Sequence, residues 1–338
     1  MVTVVTGAAG MLGSRLVERL RADGHDVRGV DLRPAPTVTL VGDVRDPAAM
    51  AAAAAGADAL VHCAAALPSY PADEIRSIIV GGTTNVLDAA AAARVPRVVH
   101  VSSTAVYGLP TVVPTPESYP RSPVDTYSRA KAAAEEVAER HRAGGMCVAV
   151  LRPKTFLGPG RMGLFAMLFE WAEEGRNFPV LGRGDVRIQM FAVEDLVDAV
   201  VTVLGAPADA ANDTYNLAAA EFGTLREDFQ AVLDAAGHGK RVVSVPARPA
   251  LLALKGLQSM KLSPVYGRLL HKLMADSYVS IDRARERLGF EPRQSNRDAI
   301  LATYAWWRTQ KTLTSTSKGR TSRDPWRQGA LSAARVFF

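Results

Sequence analysis

A tyrosine and a lysine stand four positions apart, as Tyr127 and Lys131, shortly after Asp125. Asp125 is a favourable helix N-cap residue, so the tyrosine and lysine side chains are predicted to share one face of a helix. A phenol with a pKa of about 10 is a poor base at neutral pH, but an adjacent ammonium favours the phenolate. The pair could therefore take up and return a proton, although the isolated pattern is more common in surface pairs.

Hydroxyl side chains follow a predicted strand upstream of this helix, at Ser102, Ser103 and Thr104. Ser103 stands 24 residues before Tyr127. A hydroxyl at the end of a neighbouring strand can hold a substrate oxygen while a proton moves. Together with a glycine loop at the N-terminus, these residues favour a catalytic role for the tyrosine and lysine over a surface pair.

The glycine loop consists of Gly7, Gly10 and Gly13, which follow a β-branched run at 2–6 and open a stretch of helical periodicity at Met11. A strand, a glycine loop and a helix in this order are typical of a dinucleotide-binding βαβ unit. Gly7 permits the tight turn, Gly10 lets the backbone approach a pyrophosphate, and Gly13 lets the helix pack closely on the strand. The helix N-terminus then offers unpaired N–H groups to the phosphates.

A carboxylate at the end of the second predicted strand indicates which dinucleotide binds. Asp31 lies 18 residues after Gly13, where it would accept hydrogen bonds from both ribose hydroxyls and repel a 2′-phosphate. We therefore expect NAD rather than NADP, although Arg33 could soften that preference. Asp43 could lie beside the adenine ring, or it could be a turn carboxylate that caps the next helix. The expected cofactor contacts are Gly7, Gly10, Met11, Leu12, Gly13, Asp31, Asp43, Val44, Ala64, Ala65, Ser102, Tyr127, Lys131 and Pro153.

Strand and helix patterns alternate through the first half of the chain, which predicts a parallel sheet covered on both faces. The expected fold is α/β, a Rossmann-type doubly wound sheet with a smaller C-terminal α/β substrate lobe. We expect an NAD-binding domain at 1–155, a substrate-binding lobe interleaved with sheet segments at 156–310, and a basic, flexible tail at 311–338. Strands are predicted at 2–6, 27–31, 38–41, 58–63, 97–102, 147–151 and 186–191, and helices at 11–22, 47–55, 74–93, 125–142, 164–174, 195–204, 225–236 and 295–308.

Composition excludes several classes of protein. Of the formal net charge of +6, +5 comes from residues 311–338, so the remaining chain is nearly neutral and is not a nucleic-acid-binding domain. No apolar run is long enough to span a membrane and no signal peptide is evident, which favours the cytoplasm. Cys63 and Cys147 are expected to be core thiols. No Cys or His lies at metal-ligand spacing from His62, so we expect no metal and a strand-end role for that histidine.

From Val2 to about Trp307 the chain resembles the extended short-chain dehydrogenase/reductase family, in its nucleotide-sugar epimerase/dehydratase branch. The resemblance implies that the catalytic hydroxyl lies four residues before Tyr107, which gives Ser103 with Thr104 as the second choice. It also implies NAD, the roles of Tyr127 and Lys131, and a homodimer. The motifs that carry it are Gly7-Ala-Ala-Gly10-Met-Leu-Gly13, Ser102-Ser103 with Tyr107-Gly108, Tyr127-Ser-Arg-Ala-Lys131, Leu151-Arg152-Pro153, Gly158-Pro159-Gly160, Phe191-Ala-Val-Glu-Asp195, Tyr215-Asn216-Leu217 and Leu288-Gly289-Phe290-Glu291-Pro292.

Departures from the family pattern concern the substrate. Family dehydratases carry an acid where this chain has Thr104 and Ala105, which argues against 4,6-dehydration. Ile79 and Thr155 replace asparagines, and the second of these asparagines commonly helps to bind the substrate diphosphate. Arg161 and Arg187 could bind an anionic substrate, or could equally be solvated or paired with nearby acids. The expected substrate contacts are Thr104, Thr155, Arg161 and Arg187.

The function favoured by these observations is NAD-dependent C4 epimerisation of a nucleotide sugar through a transient 4-keto intermediate. The main alternative is a dehydrogenase or ketoreductase acting on an apolar, sterol- or polyketide-like molecule. Thr155 and the apolar segment 249–275, which could be a lid, a dimer face or core, support that alternative. A non-catalytic, dinucleotide-sensing protein is a third alternative, against which the intact serine, tyrosine and lysine argue.

Overall fold

Seven parallel strands form the central sheet of this protein, for which a computed structural model describes residues 1–160, 165–247, 249 and 274–310. The strands are β1 (Val2–Thr6), β2 (Asp26–Asp31), β3 (Leu40–Val41), β4 (Ala59–His62), β5 (Arg97–Val101), β6 (Val148–Pro153) and β10 (Thr214–Leu217). Their spatial order is β3–β2–β1–β4–β5–β6–β10, so the order in which the chain adds strands reverses direction between β3 and β4. The predicted doubly wound fold is confirmed.

Helices cover both faces of this sheet because the strands are apolar on both sides. They are α1 (Met11–Ala22), α2 (Pro47–Ala54), α3 (Ala72–Arg76), α4 (Gly82–Ala92), α5 (Thr126–Ala143), α6 (Phe165–Glu173), α7 (Val193–Gly205), α8 (Ala208–Ala211), α9 (Leu225–Ala236), α10 (Asp282–Leu288) and α11 (Asn296–Gln310). Helices α1 and α7 pack around buried Leu16 and Val200 on one face. On the other face, α2, α4 and α5 pack around Met50, Leu87 and Val137.

The C-terminal part has its own core and two small parallel pairs. These pairs join β7 (Phe156–Leu157) to β9 (Phe191–Ala192) and β8 (Phe178–Leu181) to β11 (Val242–Val245). Phe169, Trp171 and Trp307 lie in that core. Strand β10 returns to the edge of the main sheet beside β6, with Asn216 opposite Arg152.

Two predicted elements differ from those observed. The single helix expected over 74–93 is α3 and α4 joined by a π-helical turn at Ser77–Gly81. The strand expected at 186–191 is wrong, since β9 begins only at Phe191 and the segment before it makes isolated bridges, from Arg187 to Thr224 and from Ile188 to Ser277. These partners are single loop residues, so no continuous ladder can form. The tail at 311–338 and most of 249–275 lie outside the described residues. Within the described part of the chain, no helix is long and apolar enough to cross a membrane.

Candidate active site

Helix α5 carries the tyrosine and the lysine and begins where the sequence predicts. Asp125 accepts a hydrogen bond from the Ser128 backbone N–H at 2.7 Å, and the Ser128 hydroxyl bonds back to the Asp125 backbone, which forms a capping box. Tyr127 therefore lies in the first turn of α5 and Lys131 one turn later on the same face. The buried Lys131 ammonium donates to the Val101 carbonyl at 2.9 Å. This bond ties the helix to the end of β5.

Burial sets the ionisation of the groups around this lysine. Desolvation lowers the pKa of Lys131 to about 8, and the nearby Glu135 carboxylate opposes that shift. Burial, together with the positive charge of Lys131, lowers the pKa of His62 to about 3 and holds the pKa of His100 well below its usual value. At neutral pH, Lys131 is therefore charged, whereas both histidines are neutral.

The three hydroxyls after β5 have different partners. Ser102 donates to the buried Glu135 carboxylate at 2.5 Å, and Thr104 donates to the Pro153 carbonyl at 3.4 Å. The Ser103 oxygen caps a 3₁₀ turn by accepting from the Ala105 backbone N–H at 3.2 Å. Because Ser103 acts as an acceptor in this bond, its hydrogen can donate to a substrate oxygen.

A catalytic cavity of about 280 Å³ lies at the carboxyl ends of β1, β4, β5 and β6. Tyr127, Lys131 and Ser103 all line it, together with Thr104 and Thr155. The predicted cofactor residues among its lining are Gly7, Gly10, Met11, Leu12, Gly13, Ala65, Ser102 and Pro153. The structure thus brings together residues from five separate stretches of sequence.

An adjoining cleft of about 460 Å³ contains the remaining predicted cofactor residues, which are Asp31, Asp43, Val44 and Ala64. Both spaces share Gly7, Gly10, Cys63, Ala65 and Leu67 along their boundary, so they form one elongated site. Its length along the strand ends suits a dinucleotide better than a compact ligand.

The glycine loop fits a bound pyrophosphate. A Cβ on Gly13 would come within 2.1 Å of the Gly7 carbonyl oxygen, so helix and loop can close together only without a side chain at position 13. Gly10 is the N-cap of α1, and no side chain caps that helix end. The backbone N–H groups there are available to an anion.

The carboxylate at the end of β2 is held by backbone groups, since Asp31 accepts from the N–H of Ala9 at 3.0 Å and of Arg33 at 3.1 Å. Asp43 pairs with Arg45, whose guanidinium lowers the pKa of that carboxyl. Helix α2 is capped by Asp46, so the alternative that Asp43 is the cap is wrong. The contact between Asp43 and adenine stays a prediction.

Neither of the two candidate anion-binding arginines is among the described residues that line the site. Arg161 lies outside the described residues. The Arg187 guanidinium stacks against the rings of Phe222 and Tyr278, with its centre 4.6 and 5.4 Å from their centroids. Arg187 does not line either space among the residues that the structure describes. Its role in substrate binding stays a prediction.

Sequence reasoning missed one basic residue of the cavity, Lys154. Its side chain is buried, and the ammonium donates to the Ser277 hydroxyl at 2.8 Å. It lines both the catalytic cavity and a smaller cavity behind it. Its position directly after Pro153, at the end of a parallel strand, is the sequence signal that could have indicated it.

The remaining minor expectations concern His62, the two cysteines and metal binding. His62 lies at the end of β4 and bonds to the hydroxyls of Thr6 and Thr83, as expected of a structural strand-end residue. Cys63 and Cys147 are free but only half-buried, because the first borders the cofactor cleft and the second precedes β6. Burial of the sulfur raises the pKa of Cys63 to about 12. No cluster of potential metal ligands occurs in the described ranges.

Three related sequences match most of the chain. It is 34% identical to the uncharacterized protein y4nG of Sinorhizobium fredii, over 97% of this chain and 84% of that protein. It is 30% identical to a 3 beta-hydroxysteroid dehydrogenase/Delta 5-->4-isomerase of Mycobacterium tuberculosis, over 88% of each chain. It is also 30% identical to a UDP-glucose 4-epimerase of Mycolicibacterium smegmatis, over 92% of this chain and 99% of that one.

Solved structures agree with the fold and the cofactor. The UDP-glucose 4-epimerase of Thermotoga maritima superposes with a TM-score of 0.76 at 22% identity, covering 92% of this chain and 99% of that chain. MoeE5, solved with UDP-glucuronic acid and NAD, superposes with a TM-score of 0.75 at 26% identity, over 92% of this chain and all of that one. The family model for NAD dependent epimerases and dehydratases matches residues 3–218. With the glycine loop, Asp31 and the Tyr127–Lys131 helix assembled along one site, the chain belongs to this family of NAD-dependent oxidoreductases.

Proposed function

We propose that this protein interconverts a secondary alcohol and its ketone at Tyr127, and that the reaction is C4 epimerisation of a nucleotide sugar. One observation carries the redox chemistry. Tyr127, Lys131 and Ser103 line a single cavity together with the glycine loop, although they come from different parts of the chain.

Each of these side chains has a separate role. NAD, when bound, supplies the hydride acceptor. The Tyr127 phenolate oxygen takes the proton of the substrate hydroxyl, and the Ser103 hydroxyl donates to the same substrate oxygen. A pKa of about 8 leaves Lys131 protonated at neutral pH, so its ammonium favours the phenolate and can also hold the cofactor ribose.

The cavity supports epimerisation better than dehydration. Dehydration needs a second acid–base group besides the tyrosine. The described residues that line the catalytic cavity include no Asp, Glu or His, and Thr104 and Ala105 lie where family dehydratases carry an acid. Epimerisation needs only the tyrosine as acid and base, since the same proton and hydride are taken and returned.

Relatives support a nucleotide sugar as substrate. The Mycolicibacterium smegmatis UDP-glucose 4-epimerase aligns over 99% of its length. MoeE5, at 26% identity, was solved with a UDP-sugar and NAD. The second candidate is an NAD-linked dehydrogenase for a sterol-like alcohol. Two observations favour this dehydrogenase. The Mycobacterium tuberculosis hydroxysteroid dehydrogenase has the same 30% identity as the epimerase, and Arg187 does not line the catalytic cavity.

An assay without added cofactor separates these two functions. An epimerase returns its hydride, so purified protein should convert a UDP- or dTDP-hexose into its C4 epimer with no NAD or a catalytic trace. Tyr127→Phe should lose most of this activity and still bind NAD. Tyr119→Phe is the matched control, because the Tyr119 hydroxyl bonds the Thr111 backbone and the residue does not line the cavity.

A different outcome of the same assays would favour the dehydrogenase. If a panel of nucleotide sugars gives no epimer while hydroxysteroids reduce NAD stoichiometrically, the substrate proposal fails and the second candidate is correct. The homodimer and the cytoplasmic location expected from the sequence stay predictions.

A further inference from the structure

A chain of buried hydrogen bonds runs beneath the cofactor site and is centred on His62. This residue is buried, and its Nδ1 lies 2.7 Å from the Thr6 hydroxyl, whereas its Nε2 lies 3.1 Å from the Thr83 hydroxyl. Thr83 in turn donates to the Ile79 carbonyl at 2.5 Å, and the Ala64 backbone N–H donates to the Thr6 hydroxyl at 3.4 Å. The chain therefore joins the ends of β1 and β4 to the π-helical turn that precedes α4.

The donor and the acceptor of each bond in this chain are determined. The Thr83 hydroxyl has one hydrogen, which points to the Ile79 carbonyl, so Thr83 can only accept from His62. Burial lowers the pKa of His62 to about 3, so the ring is neutral and carries its single N–H at Nε2. Its Nδ1 then accepts from the Thr6 hydroxyl, whose oxygen is left to accept from the Ala64 backbone. Only the Nε2–H tautomer satisfies all of these groups.

One end of the chain lies at the wall that the glycine loop forms. Thr6 immediately precedes Gly7, and a Cβ on Gly7 would come within 2.8 Å of the Ala64 nitrogen. The glycine loop therefore packs directly on the backbone that follows β4. Gly7 and Ala64 both line the cofactor cleft, so a small displacement of either backbone segment would change the space for the cofactor.

The other end of the chain lies at the π-helical turn, which contributes to a second wall. Ile78 lines the cofactor cleft, whereas its neighbour Ile79 lies in the buried cluster against which Tyr127 packs. A π-helical turn inserts one extra residue into a helix, and such turns are frequent at functional sites. Here the turn directs consecutive side chains toward the cofactor and toward the catalytic tyrosine. Its position is fixed from below by the Thr83 hydroxyl and, through that hydroxyl, by His62.

We infer that His62, as the Nε2–H tautomer, is a positioning residue for the cofactor, because it fixes the π-helical turn relative to the ends of β1 and β4. His62 is not among the described residues that line the cleft or the catalytic cavity. It acts through Ala64 and Ile78, which do line the cleft. The inference extends the strand-end role of His62 to cofactor affinity, and it is independent of which substrate the protein converts.

Two neighbouring threonines provide a matched test. Thr83→Val removes the hydroxyl that accepts from His62. Thr84→Val is the control, because the Thr84 hydroxyl likewise donates to a carbonyl one turn back, that of Val80 at 3.0 Å, while His62 bonds Thr6 and Thr83 instead. NAD affinity is measured by fluorescence titration at a temperature at which circular dichroism shows every variant to be folded.

The expected affinities differ between the two positions. Thr83→Val should weaken NAD binding about tenfold, and Thr84→Val less than about twofold. Thr83→Ser restores the hydroxyl and should bind NAD as the wild-type protein does. His62→Gln can donate an amide N–H to Thr83, so it should retain more NAD affinity than His62→Phe, which has no hydrogen-bonding group. If Thr83→Val does not fold, Thr83→Ala takes its place.

A spectroscopic measurement on the wild-type protein tests the tautomer without any loss of structure. In ¹⁵N NMR of protein with labelled histidines, the His62 signals are those that disappear in His62→Gln. They should show a protonated Nε2 and an unprotonated Nδ1, both with and without NAD.

Three results would overturn the inference. The first is unchanged NAD affinity in Thr83→Val, even with a lower Tm, which would reduce the His62 chain to a purely structural role. The second is an equal loss of NAD affinity in Thr83→Val and Thr84→Val. The third is a His62 ring protonated at Nδ1 rather than at Nε2.

Discussion

A buried carboxylate, Glu135, joins three of the elements that build the candidate active site, and its removal is the most informative perturbation. It lies on α5 one turn beyond Lys131, accepts from Ser102 at 2.5 Å, and pairs with Arg152 at 2.7 Å. The Glu135 side chain is 1% exposed and that of Arg152 is 6% exposed. Glu135→Gln keeps the shape but turns an amide N–H₂ group toward one of these donors and leaves the guanidinium without its counter-charge.

The magnitude follows from this burial. Breaking a buried ion pair by removing one partner costs about 3–5 kcal/mol, and a glutamine that keeps one acceptor oxygen should give the lower end of that range. At about 2–4 °C per kcal/mol for chains of this order of size, Tm should fall by about 6–12 °C. Arg152 also donates to the Tyr107 hydroxyl at 2.8 Å, so part of its hydrogen bonding survives.

Thermal unfolding followed by circular dichroism measures this effect, with Glu139→Gln as the matched control. Glu139 lies one turn further along α5 and pairs with Arg121, which also contacts Glu135, but the Glu139 side chain is 44% exposed. An exposed pair contributes about 0–1 kcal/mol, so the control should lose less than about 4 °C. Equal losses in the two variants would refute the reasoning. A Glu135→Leu/Arg152→Met double variant should be more stable than either single variant, since no buried charge is then left unpaired.

Three further predictions concern buried titratable groups and the glycine loop. Between about pH 8 and the ordinary Lys pKa of 10.5, the unfolded chain binds a proton that folded Lys131 has released. The free energy of unfolding of the cofactor-free protein should therefore rise with pH over this range, relative to that of Lys131→Met. A difference between the two proteins that does not change with pH would contradict this. As pH falls below 6.5, the unfolded chain takes up a proton that buried His100 refuses, so His100→Phe should reduce the acid-induced loss of stability measured by urea unfolding. Gly13→Ala should abolish NAD binding in a fluorescence titration because of the clash with Gly7, whereas Gly81→Ala, whose Cβ would meet nothing, should bind normally.

Much of the architecture could be predicted because it depends on local pattern. Continuous apolar strands and alternating helices predicted the parallel sheet, and the spacing of Tyr127 and Lys131 predicted their shared helical face. The glycines at 7, 10 and 13 predicted a tight loop, and the structure shows that a Cβ on Gly13 would clash with the Gly7 carbonyl oxygen. These features are determined by a few neighbouring residues and by the two periods of regular structure.

Features that depend on distant partners could not be predicted in this way. The π turn at Ser77–Gly81 interrupts a stretch that reads as one helix, and Thr83 bonds there both to the Ile79 carbonyl and to His62 of β4. The short strand Phe178–Leu181 exists because Val242–Val245 lies beside it. Neither contact has a signal within the segment itself.

The same limit explains why Arg152 of β6 was assigned to a motif whereas Lys154, which directly follows β6, was overlooked. Arg152 and Lys154 stand two positions apart, and the sequence alone does not indicate which of them faces the cavity. In the structure both are buried. The structure separates them by what each one faces. Arg152 meets Glu135 and the Tyr107 hydroxyl in the interior, where its charge is neutralised and its role is structural. Lys154 donates to the Ser277 hydroxyl and lines two cavities, so its side chain lies where a bound ligand could contact it.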